Sequence, residues 1–230
     1  MGEVQIISES PVPFEDRIEA GQLLAGQMAA YRRQRPVVLG IPRGGAIVAA
    51  EVAKDLQAEL DVILTRKLGS PLSPELAMGA VAENGSVVLD DDVVRYSGAT
   101  PQHIYQVKTS ELQEIARRSK AFRAEHPRIG LEGRLVIIID DGVATGSTMK
   151  ASLIAAAAER PLRLVCALPV GPAETVYRLA QHADEIICLR TPPFFQAVGQ
   201  FYRVFTQTTD EEVLDVLRRA RGSSYAQGRP

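Results

Sequence analysis

Short apolar runs alternate along this chain with longer stretches in which apolar residues recur at helical spacing. Apolar runs of about 4–8 residues bounded by turn signals are typical of strands that are buried on both faces of a parallel sheet. Their alternation with helices predicts an α/β fold, with a central, mostly parallel sheet flanked by helices. The predicted strands are residues 37–41, 61–65, 135–139, 162–168 and 185–189.

Helices are predicted between these strands and at both ends of the pattern. The longest begins at Thr100-Pro101 and runs to about Glu125, because threonine caps a helix and proline is tolerated in its first turn. The other predicted helices are residues 14–34, 46–56, 148–159, 173–181 and 209–221.

A β-hairpin is predicted around Asn84-Gly85, which lies between the short apolar runs 77–82 and 86–89. Asn-Gly is a strong hairpin signal because both residues accept positive φ. The hairpin interrupts the α/β alternation but no linker or repeat divides the chain. Residues 1–230 are therefore interpreted as one domain, with a core of about 14–205, a helical insertion of about 90–134 and a C-terminal helix of about 209–221.

The composition is that of an ordinary soluble protein, with 46% hydrophobic and 23% charged residues. A formal net charge of −2 provides no overall basic field for nucleic acid, and no apolar run reaches the roughly 18 residues that span a membrane. The two cysteines, Cys166 and Cys188, lie inside apolar strands and are expected to be buried apolar side chains. The N-terminus also lacks the pattern of a secretory signal. We therefore expect a cytoplasmic protein that binds neither membrane nor nucleic acid.

Two acidic residues, Asp140 and Asp141, follow the apolar strand 135–139, and residues 144–148 then lead into a helix. Backbone N–H groups at such a turn and at the helix start form an anion site that suits phosphate. Carboxylates repel phosphate, but they accept hydrogen bonds from sugar hydroxyls or hold a cation. The combination predicts a site for a phosphorylated sugar. The alternative is a plain strand–helix connection in which Thr145 or Ser147 only caps the helix.

The segment Val136–Thr148, VIIIDDGVATGST, resembles the motif with which type I phosphoribosyltransferases bind phosphoribosyl pyrophosphate (PRPP). The resemblance extends over about residues 14–205. It implies that Asp140 and Asp141 bind the ribose 2′- and 3′-hydroxyls, and that residues 144–148, the phosphate segment, bind the 5′-phosphate. The implied PRPP-binding residues are Gly44, Gly45, Arg66, Asp140, Asp141, Val143, Ala144, Thr145, Gly146, Ser147 and Thr148.

Residues 42–45, Pro-Arg-Gly-Gly, resemble the pyrophosphate loop of the same family and are called the pyrophosphate loop below. They follow the strand 37–41, and ligands of open α/β sheets bind at the carboxyl ends of strands. The two glycines let backbone amides face an anion. The alternative is an ordinary turn that carries a surface arginine, Arg43.

Arg66-Lys67 follows the next strand and precedes the hairpin around Asn84-Gly85. In the family this place holds a mobile loop that folds over the reacting centre, and the resemblance implies that Lys67 reaches the pyrophosphate when the loop closes. Closure excludes water from an activated ribosyl centre. The alternative is a solvated cationic pair.

Residues 191–205, the hood segment, are rich in proline and aromatic residues and correspond to the hood that covers the nucleobase in the family. Phe194, Phe195 and Tyr202 are candidates to stack on an aromatic acceptor, the alternative being core or subunit-interface packing. Ala144 departs from the family, since many 6-oxopurine transferases have an acidic residue there. The acceptor therefore stays open between adenine, orotate, uracil and an unusual compound.

The resemblance implies an enzyme, a Mg²⁺-dependent phosphoribosyltransferase that uses PRPP and a nitrogenous acceptor. Its implied catalytic residues are Arg43, Lys67, Asp140 and Asp141, with Mg²⁺ held indirectly by the two aspartates through water and ribose hydroxyls. The apolar Phe-Phe and Phe-Tyr pairs in the hood segment favour a homodimer.

The alternative function is a PRPP-sensing regulator that binds nucleic acid without catalysis. Its support is a basic stretch, Arg117, Arg118, Lys120, Arg123, Arg128 and Arg134. The acidic net charge and the lack of a nucleic-acid-binding motif weigh against it, and charged runs on helices are usually solvated faces.

Overall fold

A six-stranded parallel sheet forms the centre of the computed structural model, which describes residues 2–74, 76–124 and 126–227, with 222–227 by backbone only. The strand order is β1-β9-β8-β7-β2-β3, and every neighbouring pair is parallel. The fold class predicted from the alternation is confirmed. The strands of this sheet are β1 Glu3–Ser8, β2 Val37–Gly40, β3 Glu59–Val62, β7 Leu135–Ile139, β8 Arg163–Val170 and β9 Glu185–Arg190.

The central strand β7 is apolar throughout because helices cover both faces of the sheet. Its Ile137 and Ile139 belong to the core on one face, while Val136 and Ile138 belong to the core on the other. Helices α1, α2 and α7 pack on the first face, and α5 and α6 on the second. The helices are α1 Arg17–Gln27, α2 Gly44–Leu56, α3 Asp91–Ser97, α4 Pro101–Arg123, α5 Ser147–Ala157, α6 Ala173–Leu179 and α7 Asp210–Gln227, with short 3-10 helices at Ala29–Tyr31 and Val198–Phe201.

A second, antiparallel sheet contains the predicted hairpin, which is confirmed, with Gly85 at φ 79°. Its strands are β4 Thr65–Gly69, β5 Ala77–Ala82 and β6 Val87–Leu89. The sheet packs on α5 and α4. Asn84 Nδ2 donates to Glu159 Oε1 at 3.4 Å, so the hairpin turn lies beside the C-terminal end of α5.

Several elements differ from the sequence prediction. Strand β1 was not predicted, because it is an edge strand that buries only one side, and α3 was not predicted either. The predicted strand 61–65 is divided between β3 and β4, which belong to different sheets. The first helix begins only at Arg17, and α7 continues to Gln227 rather than 221.

Helix α4 begins as predicted, with the Thr100 side chain accepting from the His103 N–H at 3.2 Å. Its predicted end at Glu125 lies outside the described residues; the described helix ends at Arg123. The Arg123 guanidinium bonds to Asp61 of β3 at 2.6 Å and to Glu83, after β5, at 2.8 Å. One half-buried cation therefore joins the helical insertion to both sheets.

Cys166 and Cys188 are free thiols buried on the adjacent strands β8 and β9, as the sequence predicted. Burial raises the pKa of both thiols, that of Cys188 to about 12. Within the described part of the chain, no helix combines the length and apolarity that a membrane span requires.

Candidate active site

The pyrophosphate loop and the two aspartates meet at the carboxyl ends of the neighbouring strands β2 and β7. A Cβ built on Gly44 would lie 1.9 Å from Asp141 Oδ2, and one on Gly45 would lie 2.7 Å from the Asp140 Cα. A side chain at Gly45 would require the backbone to move, whereas one at Gly44 would require the Asp141 and Arg17 side chains to move. The fold thus brings together two segments that are about a hundred residues apart in sequence.

Arg43 precedes helix α2 and is joined to Pro42 by a cis peptide bond. Its Nη1 lies 3.9 Å from Asp210 Oδ1, at the start of α7, and both side chains are substantially exposed. At this separation and exposure the ion pair is weak. The guanidinium therefore remains available to an incoming anion.

The aspartates are held by a cation that the sequence did not indicate. Arg17 Nε donates to Asp141 Oδ2 at 2.7 Å, and the two side chains are only 11% and 15% exposed. Burial raises the pKa of Asp140, and repulsion from Asp141 raises it further. Burial also raises the pKa of Asp141, although Arg17 opposes this shift. Arg17 therefore bonds to Asp141 directly and lowers the pKa of Asp140 only through its charge.

The phosphate segment forms an exposed turn at the N-terminus of α5. Gly146 adopts φ 75° immediately before the helix, and Ser147 N–H donates to Thr145 Oγ1 at 3.4 Å. Thr175, which lies outside the segment, donates its Oγ1 hydroxyl to the Ala144 carbonyl at 2.9 Å and so stabilises the turn. Because Ala144, Thr145 and Thr148 are exposed, the turn can accept an anion at the helix start.

Val143 is less accessible than the neighbouring residues that were also predicted to bind PRPP. Its side chain is buried in the core, and its N–H donates to the Val170 carbonyl at 3.0 Å. Neither the side chain nor the N–H group of Val143 is therefore available at the phosphate segment.

Lys67 lines a cleft of about 490 Å³ between β4, α4 and the start of α5. Thr148 of the phosphate segment lines the same cleft, together with His103 and Ser70. Arg66 also lines it and pairs with Glu111 of α4 at 2.6 Å. The strand that carries the two cations is therefore close to the predicted phosphate site.

The Asn84-Gly85 turn does not lie at this cleft. It contacts Glu159, whereas Thr148 is at the other end of α5, about 15 Å away at about 1.5 Å per residue. The connection between β4 and β5, which includes Ser70 and Pro74, lines the cleft instead. The part of the hairpin that lines this cleft is thus the β4–β5 connection rather than the Asn84-Gly85 turn, and closure of the hairpin over the site stays a prediction.

The hood segment uses two of its three candidate aromatic residues for internal packing. Tyr202 is 5% exposed, lies between the rings of Phe14 and Phe205, and donates its hydroxyl to the Asp141 carbonyl at 2.5 Å. Phe195 stacks on Phe201, with ring centroids 5.0 Å apart. Phe194, by contrast, is 90% exposed with φ 58°. Of the three, Phe194 alone presents an open ring face.

Residues before α1 complete the hood, which the sequence interpretation missed. Phe14 N–H donates to the Phe201 carbonyl at 2.8 Å, and Arg203 N–H donates to the Phe14 carbonyl at 2.8 Å. Val204 N–H adds a bond to the Glu15 carbonyl at 2.9 Å. Only Asp16 gives a local signal in this region, because its side chain caps α1.

The five arginines of the basic stretch are each paired with acidic side chains. Arg117 and Arg118 pair with Glu114, and Arg123 pairs with Asp61 and Glu83. Arg128 pairs with Glu159 and Arg134 with Glu59. These internal pairs remove much of the positive charge on which the nucleic-acid-binding alternative depended.

Among the residues that the structure describes, no group of three or more His, Cys, Asp or Glu side chains could hold a metal ion by itself. Mg²⁺, however, is usually bound by one or two carboxylates together with water and substrate phosphates. Asp140 and Asp141 provide two adjacent carboxylates beside the pyrophosphate loop. The side chains therefore fit a Mg²⁺ ion that arrives with its substrate.

Comparison with known proteins identifies the family. The profile of the phosphoribosyl transferase domain matches residues 16–206. Relatives from two strains of Mycobacterium tuberculosis, provisionally named phosphoribosyl transferases, are 50% identical over 207 residues. This alignment covers 90% of the chain but 47% of either relative, so the chain spans about half of their length.

A solved structure agrees with this match. The crystal structure of a protein from Thermus thermophilus is 42% identical to the chain, with a TM-score of 0.85. The similarity covers 90% of this chain and 99% of the Thermus chain. The chain therefore belongs to the phosphoribosyl transferase domain family, as the sequence resemblance predicted.

Proposed function

We propose that the protein transfers the 5-phosphoribosyl group of PRPP to a nitrogen acceptor and releases pyrophosphate. The observation that carries the proposal is the contact between Gly44 and Asp141, where a Cβ would lie 1.9 Å from the carboxylate oxygen. This contact supports the proposal because the loop that would hold the leaving group touches a residue that would hold the ribose. A transferase needs a ribose site and a leaving-group site at one centre. A protein that only recognised a sugar phosphate would need no leaving-group site.

In the proposed reaction, a bond forms between the acceptor nitrogen and ribose C1 as the C1–O bond to pyrophosphate breaks. The bonding electron pair leaves with the pyrophosphate, and the proton that the acceptor nitrogen carried passes to solvent water. Asp140 and Asp141 orient the ribose by accepting hydrogen bonds from its 2′- and 3′-hydroxyls. The phosphate segment holds the 5′-phosphate through N–H groups and hydroxyls at the start of α5.

The leaving group carries several negative charges, and the chain provides complementary groups for it. Backbone N–H groups at Gly44 and Gly45 lie at the N-terminus of α2, where the helix dipole favours an anion. Arg43 and Lys67 supply cations from two different segments. Mg²⁺, when bound, would be held by Asp140 and Asp141 through water and would offset part of the negative charge of the leaving group.

The acceptor is proposed to be a nucleobase or a related nitrogen compound. Phe194 is the hood residue best placed to cover a flat acceptor, because its ring is 90% exposed. Ala144 offers no acid to bond to a 6-oxopurine, which leaves adenine, orotate, uracil and unusual acceptors open.

The test is an assay of pyrophosphate release with PRPP, Mg²⁺ and a panel of nitrogen acceptors. At least one acceptor is expected to give turnover, and Asp140→Asn with Asp141→Asn is expected to abolish both turnover and PRPP binding. Asp55→Asn, on the far surface pair with Arg32, is the matched control. Tight PRPP binding with no turnover across the panel would favour a sensor, and the absence of PRPP binding would overturn the proposal.

A further inference from the structure

Arg17 lies where the three predicted parts of the site meet. Its Nε donates to Asp141 Oδ2 at 2.7 Å, and its Nη1 donates to the Thr206 carbonyl at 2.9 Å. Its guanidinium also lies over the Phe205 ring, 4.0 Å from the centroid. One side chain thus joins the ribose carboxylate to the end of the hood.

The same guanidinium borders the pyrophosphate loop. A Cβ on Gly44 would lie 2.7 Å from Arg17 Nε, so the loop packs directly on the ion pair. The side chain of Arg17 is 11% exposed, unlike the solvated arginine pairs elsewhere on the surface.

The backbone of Arg17 is equally well fixed. It is the first residue of α1, and Asp16 Oδ1 caps the helix by accepting from the N–H groups of Ile18 and Glu19, each at 2.9 Å. The preceding residues Phe14 and Glu15 are hydrogen-bonded to residues 201–204 of the hood. Movement of the hood therefore moves the base of the Arg17 side chain as well.

We propose that Arg17 is a positioning residue of the transfer site, one that aims the Asp141 carboxylate at the ribose and couples ribose binding to the ordering of the hood. This inference rests on the proposed function. The coupling follows from the planar fork of arginine, whose Nε and Nη1 donate in fixed relative directions. If Asp141 shifts to meet a ribose hydroxyl, the guanidinium must shift with it, and Thr206 and Phe205 follow.

The proposal predicts that one substitution changes both the affinity for PRPP and the protection of the hood from hydrogen exchange. Arg17→Met removes the fork, leaves Asp141 without its donor, and is expected to weaken PRPP binding by roughly tenfold or more, as for the loss of a charged hydrogen bond. Arg17→Lys keeps the charge but cannot make both bonds, and an intermediate affinity is expected. Arg32→Met is the matched control, because it removes an exposed arginine that pairs with Asp55.

The experiment is calorimetric titration of PRPP combined with hydrogen exchange of the full chain, with and without saturating PRPP. In the wild type, PRPP is expected to slow exchange both at residues 144–148 and at residues 198–205. In Arg17→Met, saturating PRPP should still protect 144–148 but no longer 198–205. A residue that only supported the fold would lower the melting temperature without separating these two responses.

Each outcome has a distinct meaning. Wild-type affinity and wild-type hood protection in a folded Arg17→Met protein would overturn the inference while the proposed function stands. If Arg17→Met does not fold, Arg17→Lys decides, and wild-type behaviour in both measurements would overturn the inference. A wild-type protein that does not bind PRPP would overturn the proposed function, and with it this inference.

Discussion

At Gly44, the absence of a methyl group allows the pyrophosphate loop to approach Asp141. Gly44→Ala places a Cβ 1.9 Å from the carboxylate oxygen. We expect this variant to lose most PRPP affinity, at a cost in stability of about 1–3 kcal/mol from overpacking. Calorimetric titration and thermal unfolding measure the two effects.

Gly26 provides a matched control within α1. A Cβ there would meet nothing within 4 Å, so Gly26→Ala is expected to leave binding unchanged and to stabilise the helix by about 0.5–1 kcal/mol. If Gly44→Ala bound PRPP as well as Gly26→Ala, the close approach would have no part in binding.

The two aspartates make a prediction about pH. Burial raises the pKa of Asp140 and Asp141, so both carboxyls take up protons at a higher pH than ordinary aspartates do. The charged form accepts hydrogen bonds from ribose, and the affinity for ribose 5-phosphate is therefore expected to fall as pH is lowered through this raised range. Titration calorimetry over a pH series measures this dependence.

Methyl phosphate is the control, because it is a phosphate monoester like ribose 5-phosphate but has no sugar hydroxyls for the aspartates. Its affinity is expected to depend less steeply on pH. Parallel profiles for the two ligands would contradict a role of the aspartates in ribose binding.

At the scale of elements, the half-buried Arg123 helps to anchor the helical insertion. Arg123 pairs with Asp61, which is 1% exposed, and with Glu83. Removing one partner of a buried pair leaves an uncompensated charge, and Arg123→Met is therefore expected to lower the free energy of unfolding by about 3–5 kcal/mol. Urea unfolding followed by circular dichroism measures the change.

Arg160→Met is the corresponding control, since Arg160 and Glu132 are both largely exposed. A change of at most about 1 kcal/mol is expected there. Equal effects of the two variants would mean that the Arg123 cluster does not anchor α4.

We expect acid to weaken the attachment of α4 through Arg123 and Glu83. Although burial opposes the shift, hydrogen bonds from Arg123 and Ser119 hold the pKa of Glu83 below its usual value. A carboxyl with a lowered pKa in the folded state stabilises the fold above its unfolded pKa and loses that contribution as pH falls through the folded pKa. The contribution of Glu83 is thus complete at neutral pH.

Across the whole molecule, the sequence predicted what local patterns determine. Strands such as β7 were recognisable because burial on both faces requires a continuous apolar run, and Thr100-Pro101 was recognisable as a helix start. The motif around Asp140 and Asp141 pointed to the family that the comparisons identify.

Features that depend on distant residues could not be predicted. Strand β1 buries one side against β9, so its apolar signal is weak. The Asn84-Gly85 turn was recognised, but which end of α5 it would reach depends on the packing of the second sheet. Arg17 and Asp141 are 124 positions apart, and nothing near Arg17 indicates its partner.

The buried thiols of β8 and β9 can be used to measure how often the central sheet opens. A thiol reagent can modify Cys166 or Cys188 only after the sheet has opened, because both side chains are buried and their high pKa keeps them protonated. The labelling rate in native buffer therefore reports how often the centre of the sheet is exposed. A ligand that binds only the closed form slows this rate by a factor of one plus the ratio of its free concentration to its dissociation constant, about a hundredfold at 100 times that constant. Mass-spectrometric labelling with and without PRPP would measure donor binding before any acceptor is known, and labelling that PRPP leaves unchanged would contradict such binding.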